Sequence, residues 1–246
     1  MKNKSKAKDE ASALSGSRHT DAWIHIAAVT LGVLPIYLGL IMLQRLSDNA
    51  LSMHSFILYL AVICPLSLVI VWLLLRFLCG EKFRELDLKP GKLSSDLLAA
   101  LGLSVVILVA NVIASQSLSG MFPESPANTS VRNLFMELAG NLQLLILFVG
   151  LIFLGAASEE IIRVFLLSRL WKVWPSTVGK LLTVFISAAL FGFIHLYQGP
   201  AGAVWTAIFG IIMAFTYLRF GRIFPLILSH YLTNTLQLIV FAVLAR

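Results

Sequence analysis

Two adjacent carboxylates, Glu159 and Glu160, are followed by Ile161, Ile162 and Arg163 inside an apolar run from Leu142 to Leu170. Ionisable groups at membrane depth cost about 2.5–3.5 kcal/mol each on insertion scales, so by default they mark a functional site. Of the twelve acidic residues, only this pair sits well inside an apolar segment; the others fall in tails, loops or span ends. Two histidines, His195 and His230, interrupt later apolar runs. Counted from the nearest basic boundary at the helical rise, Glu159 lies about 15 Å deep, His195 about 22 Å and His230 about 12 Å. Against a hydrocarbon core of about 30 Å, all three fall in the middle zone.

Helical spacing adds companions. Arg163 is four residues from Glu159 and three from Glu160, so it can face either carboxylate and help hold one ionised. Phe191 shares a face with His195, and Asn234 with His230, by the same i, i+4 relation. Taken singly, the Glu–Arg pair reads equally well as a packing ion pair, His195 as an interfacial histidine, and His230 as a helix–helix hydrogen-bonding group. Together at one depth they form a candidate site whose chemistry is acid–base work on a water. The same Glu159, His195 and His230 could instead hold zinc or another divalent metal with an open position for water, although no HExxH pattern is present. His19, His25 and His54 lie near span boundaries and carry no functional weight.

The elements that must position these groups are membrane helices. The chain has 246 residues, 59% hydrophobic and 13% charged, with a mean hydropathy of +0.89, whereas a soluble domain carries roughly 25% charged residues. Apolar stretches of spanning length run over Ala22–Leu43, Phe56–Leu75, Leu97–Ser115, Leu142–Leu170, Leu181–Leu196, Ala203–Leu218 and Ile223–Leu244, each near the length that a bilayer requires. The expected fold is all-α, a polytopic integral membrane helical bundle of about seven to eight transmembrane helices.

The net charge of +7 does not indicate nucleic acid, because the basic residues are spread through short loops rather than gathered on one face. A cytoplasmic N-terminus puts Lys2, Lys4, Lys6, Lys8 and Arg18 on the same side as Arg76, Lys82, Arg84, Lys89 and Lys92. Arg169, Lys172, Lys180, Arg219 and Arg222 join them there, leaving Arg45, Arg132 and Arg246 outside and Arg163 within a span. Residues 1–21 read as a disordered cytoplasmic tail, and 22–246 as the transmembrane domain with a catalytic core at about 140–240. The first apolar run reads as a retained anchor rather than a cleaved signal.

Arg76 to Ser95 is expected to be a cytoplasmic loop or surface helix, and Gly120 to Val131 an irregular outer loop leading to a short amphipathic helix over Leu134–Asn141. Cys64 and Cys79 read as packing residues. Trp171, Trp174 and Trp205 read as interface anchors or packing. No internal repeat is evident.

Three motifs now support a family comparison: Glu159-Glu160-Ile161-Ile162-Arg163, then Phe191-Gly192-Phe193-Ile194-His195, then His230-Tyr231-Leu232-Thr233-Asn234. In order and setting this set resembles the CPBP intramembrane proteases, which include CAAX prenyl endopeptidases of the Ras-converting type and bacterial Abi proteins. The resemblance covers about residues 140 to 240. It implies proteolysis within or near the membrane, with a membrane-associated protein or peptide as substrate and the lipid bilayer as surroundings. Under it, Glu159 and His195 activate a water, Glu160 with Arg163 holds the geometry, and His230 with Asn234 stabilises the oxyanion. The resemblance is equally compatible with Glu159 and Glu160 in exchanged roles.

One departure stands out. The family has three residues between the Glu pair and the Arg, whereas here there are two, which turns Arg163 by about 100° on a helix. If Arg163 anchors the match instead, Glu159 takes the second glutamate's place and Ser158 the first. Two other classes of function suit the same residues: a proton-coupled transporter using Glu159, Glu160 and the histidines as a relay, and a catalytically inactive scaffold of the same fold.

Overall fold

The computed structural model describes residues 20–34, 52–87, 91–123 and 126–244, and there the secondary structure is helical, with no strand among the described residues. The expected tail therefore lies outside the described residues apart from Thr20 and Asp21, as does the second half of the first expected span. Helix α1 is Thr20–Leu34. Next come α2 (Met53–Leu58) and α3 (Cys64–Leu73), joined by a π-turn at Tyr59–Ile63 and continued by a second at Leu74–Cys79. They make one continuous apolar rod, Met53–Cys79. Pro65 has no N–H to offer the carbonyl of Ala61, and the hydrogen-bond ladder widens there into the π-turn.

Helix α4 (Leu93–Met121) crosses back, and α5 (Pro126–Gly140) follows. The rest of the bundle is α6 (Leu142–Val173), α7 (Thr177–Ile194), α8 (Gly199–Phe220) and α9 (Phe224–Leu244). Five of the described helical stretches are long and apolar enough to cross a membrane: the rod Met53–Cys79, α4, α6, α7, and Leu196–Phe220 ending α8. The protein is a polytopic helical membrane protein, as expected.

The irregular outer loop expected over Gly120–Val131 is mostly absent. Helix α4 continues to Met121, and α5 begins at Pro126 rather than Leu134. Proline is well placed in a first helical turn, where its missing N–H has no intrahelical partner to lose. Beyond it, Leu134 and Leu138, four residues apart, turn one buried face inward. Polar caps lengthen other helices past their apolar cores. Asn141 Oδ1 accepts from the Gln143 and Leu144 amides at 3.1 Å, and Ser176 Oγ from the Gly179 amide at 3.0 Å.

Helices α7 and α8 form a tight hairpin. A Cβ on Gly192 would stand 2.6 Å from the Ala203 carbonyl oxygen and 2.9 Å from the Ala207 methyl, so only glycine allows this approach. The turn between them closes at Gly199, whose φ of 83° lies in the region glycine favours.

At one end of the bundle the three basic loops meet. Arg169 Nη2 lies 2.5 Å from Glu81 Oε2, with Lys172 Nζ at 3.2 Å from Glu81 Oε1. Arg222 pairs with Asp87 and Asp96 at 2.7 Å each, and Asp87 Oδ1 also accepts from the Ile223 amide at 2.8 Å. Tyr217 donates its hydroxyl to the Leu86 carbonyl nearby. Burial alone would push the Glu81 carboxyl up; the Arg169 and Lys172 pairings outweigh it and hold that group below the usual carboxylate range. Hydrogen bonding to Asp96, with the charge of Asp87, holds the Arg222 guanidinium above its usual value.

Candidate active site

The bundle brings Glu159, Glu160 and Arg163 of α6, Phe191 and His195 of α7, and His230 of α9 into one buried cluster. Glu160 is its fixed centre. It is fully buried (0% exposed), accepts a hydrogen bond from Arg163 Nη1 at 3.1 Å, and accepts from His230 Nδ1 at 2.8 Å. Of the two carboxylates open to Arg163 by spacing, the hydrogen bond goes to the one at i+3. Its guanidinium also lies over the Phe191 ring, 3.9 Å from the centroid, a cation–π contact strengthened by desolvation.

Glu159 is placed differently. One oxygen, Oε1, accepts the hydroxyl of Tyr59, which the first π-turn presents from across the bundle. The other, Oε2, faces both imidazoles, 3.8 Å from His195 Nε2 and 3.7 Å from His230 Nε2. The opposite ring nitrogens are both committed, His195 Nδ1–H to the Phe191 carbonyl at 2.8 Å and His230 Nδ1–H to Glu160. With Nδ1–H so placed, the neutral His195 ring turns its Nε2 lone pair toward Glu159, and the His230 ring turns its Nε2 to the same oxygen. Separations of this size between polar atoms are those that a bridging water spans.

A cavity of about 220 Å³ opens beside this triangle. Glu159, His195 and His230 lie on its lining; Tyr197, Gln198, Asn111, Asn234 and Gln237 add further polar groups. Asn234 is thus at the cavity, but it does not orient His230. No hydrogen bond joins the two among the described residues, and Glu160 holds that ring instead. Phe191 has two roles: its carbonyl fixes His195 and its ring supports Arg163.

Tyr59 and Phe209 carry no signal in the sequence. Phe209 packs against His230 with ring centroids 4.7 Å apart, and Trp205, expected as an interface anchor or packing residue, lines the cavity. Trp171 packs inside the bundle, donating Nε1–H to Thr183 Oγ1 at 2.6 Å.

For a metal, the donor chemistry is suitable, since both imidazoles are oriented by acceptors on their far nitrogens as metal-binding histidines usually are. The geometry is not: among the described residues no three His, Cys, Asp or Glu side chains converge closely enough to hold an ion.

Fold and cluster together define a class, helical membrane proteins with a Glu- and His-lined chamber buried in the bundle. More particularly, residues 141–236 match the family model described as Type II CAAX prenyl endopeptidase Rce1-like. That segment holds all three motifs, so the resemblance drawn from them is borne out, and the family is one of proteases. No match was found among curated proteins or solved structures.

Proposed function

We propose that the protein is an intramembrane endopeptidase in which Glu159 is the general base. The observation that carries this reading is the convergence of His195 Nε2 and His230 Nε2 on the one Glu159 oxygen that Tyr59 leaves free. A water held there can donate to Glu159 Oε2 and His195 Nε2 and accept the Nε2–H of a doubly protonated His230, beside a cavity of about 220 Å³.

Glu159 Oε2 removes a proton as the water oxygen attacks the scissile carbonyl carbon. Asn234 and a doubly protonated His230, whose Nδ1–H stays on Glu160, donate to the oxyanion that forms. Glu159 then returns its proton to the departing amine nitrogen, and the C–N bond breaks. Glu160 and Arg163 hold His230 and the α6–α7 contact without touching the substrate, which assigns the two glutamates distinct roles despite the shortened spacing. No step requires a metal.

The substrate is a membrane-associated protein or peptide, and the site lies in the cell membrane with the N-terminus cytoplasmic. Comparison of membrane proteomes from cells carrying the wild-type protein and Glu159→Gln should reveal an uncleaved precursor that accumulates only with the variant. Purified protein should cleave that precursor with its rate unchanged by a chelator. Stoichiometric zinc whose removal abolishes cleavage would overturn the metal-free mechanism. Proton flux into liposomes that depends on Glu159, without any accumulating precursor, would favour a transporter instead.

A further inference from the structure

A second cavity, of about 200 Å³, lies on the other side of Glu159, between α1, α6 and α7. Its walls are largely aliphatic, with Val29, Val33 and Leu34 from α1 facing Leu166, Leu190 and Ile194. Among the described residues, the one basic group on them is Arg163, which is 3% exposed. Arg163 Nη1 is taken by Glu160, but Nε and Nη2 have no hydrogen-bond partner among the described residues. Those two carry the parallel N–H bonds along one edge of the guanidinium, the fork that matches the two oxygens of a carboxylate. Buried donors in a membrane interior need an acceptor, because no bulk water reaches them. Glu159, the other ionisable residue on this wall, directs its oxygens to Tyr59 and toward the imidazoles. Thr30 and Ser187 add only hydroxyls.

We propose that this cavity binds a carboxylate carried on a short apolar chain, with the Nε/Nη2 edge of Arg163 as its bidentate partner. The volume equals that of about six or seven waters in the liquid, at roughly 30 Å³ each, and suits a chain of medium length. Such a ligand has two sources, a free fatty acid from the bilayer or the free C-terminus of an apolar peptide. The site stands on its own geometry and does not depend on peptide hydrolysis.

The test uses the full-length protein in detergent and an octanoate bearing a terminal diazirine. Photolabelling should map to residues 29–34 or 187–194, and octanoate should compete at least tenfold better than its methyl ester. Arg163→Lys, which keeps the charge and loses the fork, should weaken competition about tenfold, and Arg163→Gln should abolish it. Val33→Trp fills the cavity and leaves Arg163 in place, so it should remove labelling even if the Arg163 variants fail to fold. An apolar tripeptide is the second arm. Competition by its free acid and not its C-terminal amide assigns the carboxylate to a peptide; competition by octanoate alone assigns it to lipid. Equal competition by octanoate and its ester, or labelling that persists in Val33→Trp, would overturn the proposal.

Discussion

Glu159 and Glu160 are neighbours in the chain with different surroundings, and substitutions should separate them. Glu160 is enclosed with Arg163 and His230. Glu160→Ala strands a buried guanidinium, which costs about 3–5 kcal/mol, so the thermal unfolding midpoint in detergent should fall sharply. Glu159→Gln keeps shape and a hydrogen-bond acceptor for Tyr59; it should unfold near the wild-type temperature while cleavage is lost. Tyr59→Phe removes one hydrogen bond to a charged group, a contact worth about 1.5–3 kcal/mol. Turnover of the accumulating precursor should slow roughly tenfold with KM little changed, because the freed carboxylate can rotate away from the imidazoles. A Tyr59→Phe enzyme as fast as wild type would remove Tyr59 from the positioning of the base. The glutamates and histidines were readable in the sequence because charge at membrane depth is costly and conspicuous. Tyr59 was not, because a tyrosine in an apolar span looks the same whether it packs or donates, and its partner lies far along the chain.

At the scale of elements, the α7–α8 hairpin sets the distance between His195 and the aromatic floor of the site. Gly192→Ala places a methyl 2.6 Å from the Ala203 carbonyl, an overpacking that typically costs about 1–3 kcal/mol. Lower thermal stability and slower cleavage should appear together, since Phe191 and His195 flank the same turn. Hydropathy located the five long apolar stretches among the described residues, because a run of about 20 apolar residues has few other uses. Helix ends were less visible, being decided by single caps such as Asn141 and Ser176. Helix α5 was misread as a loop at its start because Pro, Asn and Ser suit both a turn and a first helical turn.

Across the whole molecule, two ionic clasps gather the polar end of the bundle, Glu81 with Arg169 and Lys172, and Arg222 with Asp87 and Asp96. The folded-state pKa of Glu81 is depressed, so its stabilisation is present above the unfolded carboxylate value of about 4.3 and is lost as pH falls through the folded value. Thermal melts between pH 3 and 7 should therefore show wild type losing stability at the acid end, with a shallower loss in Glu81→Gln. An unchanged acid limb in the variant would mean that other carboxylates set it. The first clasp also ties the end of the early rod to α6, the helix that carries Glu159. Tyr59, Phe56 and Leu60 of that rod and Asn111 of α4 line the chamber beside Glu159, although the family match begins only at residue 141. The stretch that the family model matches is thus shorter than the stretch that lines the chamber. Transplanting residues 141–236 into another helical scaffold would carry over the motifs and leave behind one wall and the tyrosine bonded to Glu159.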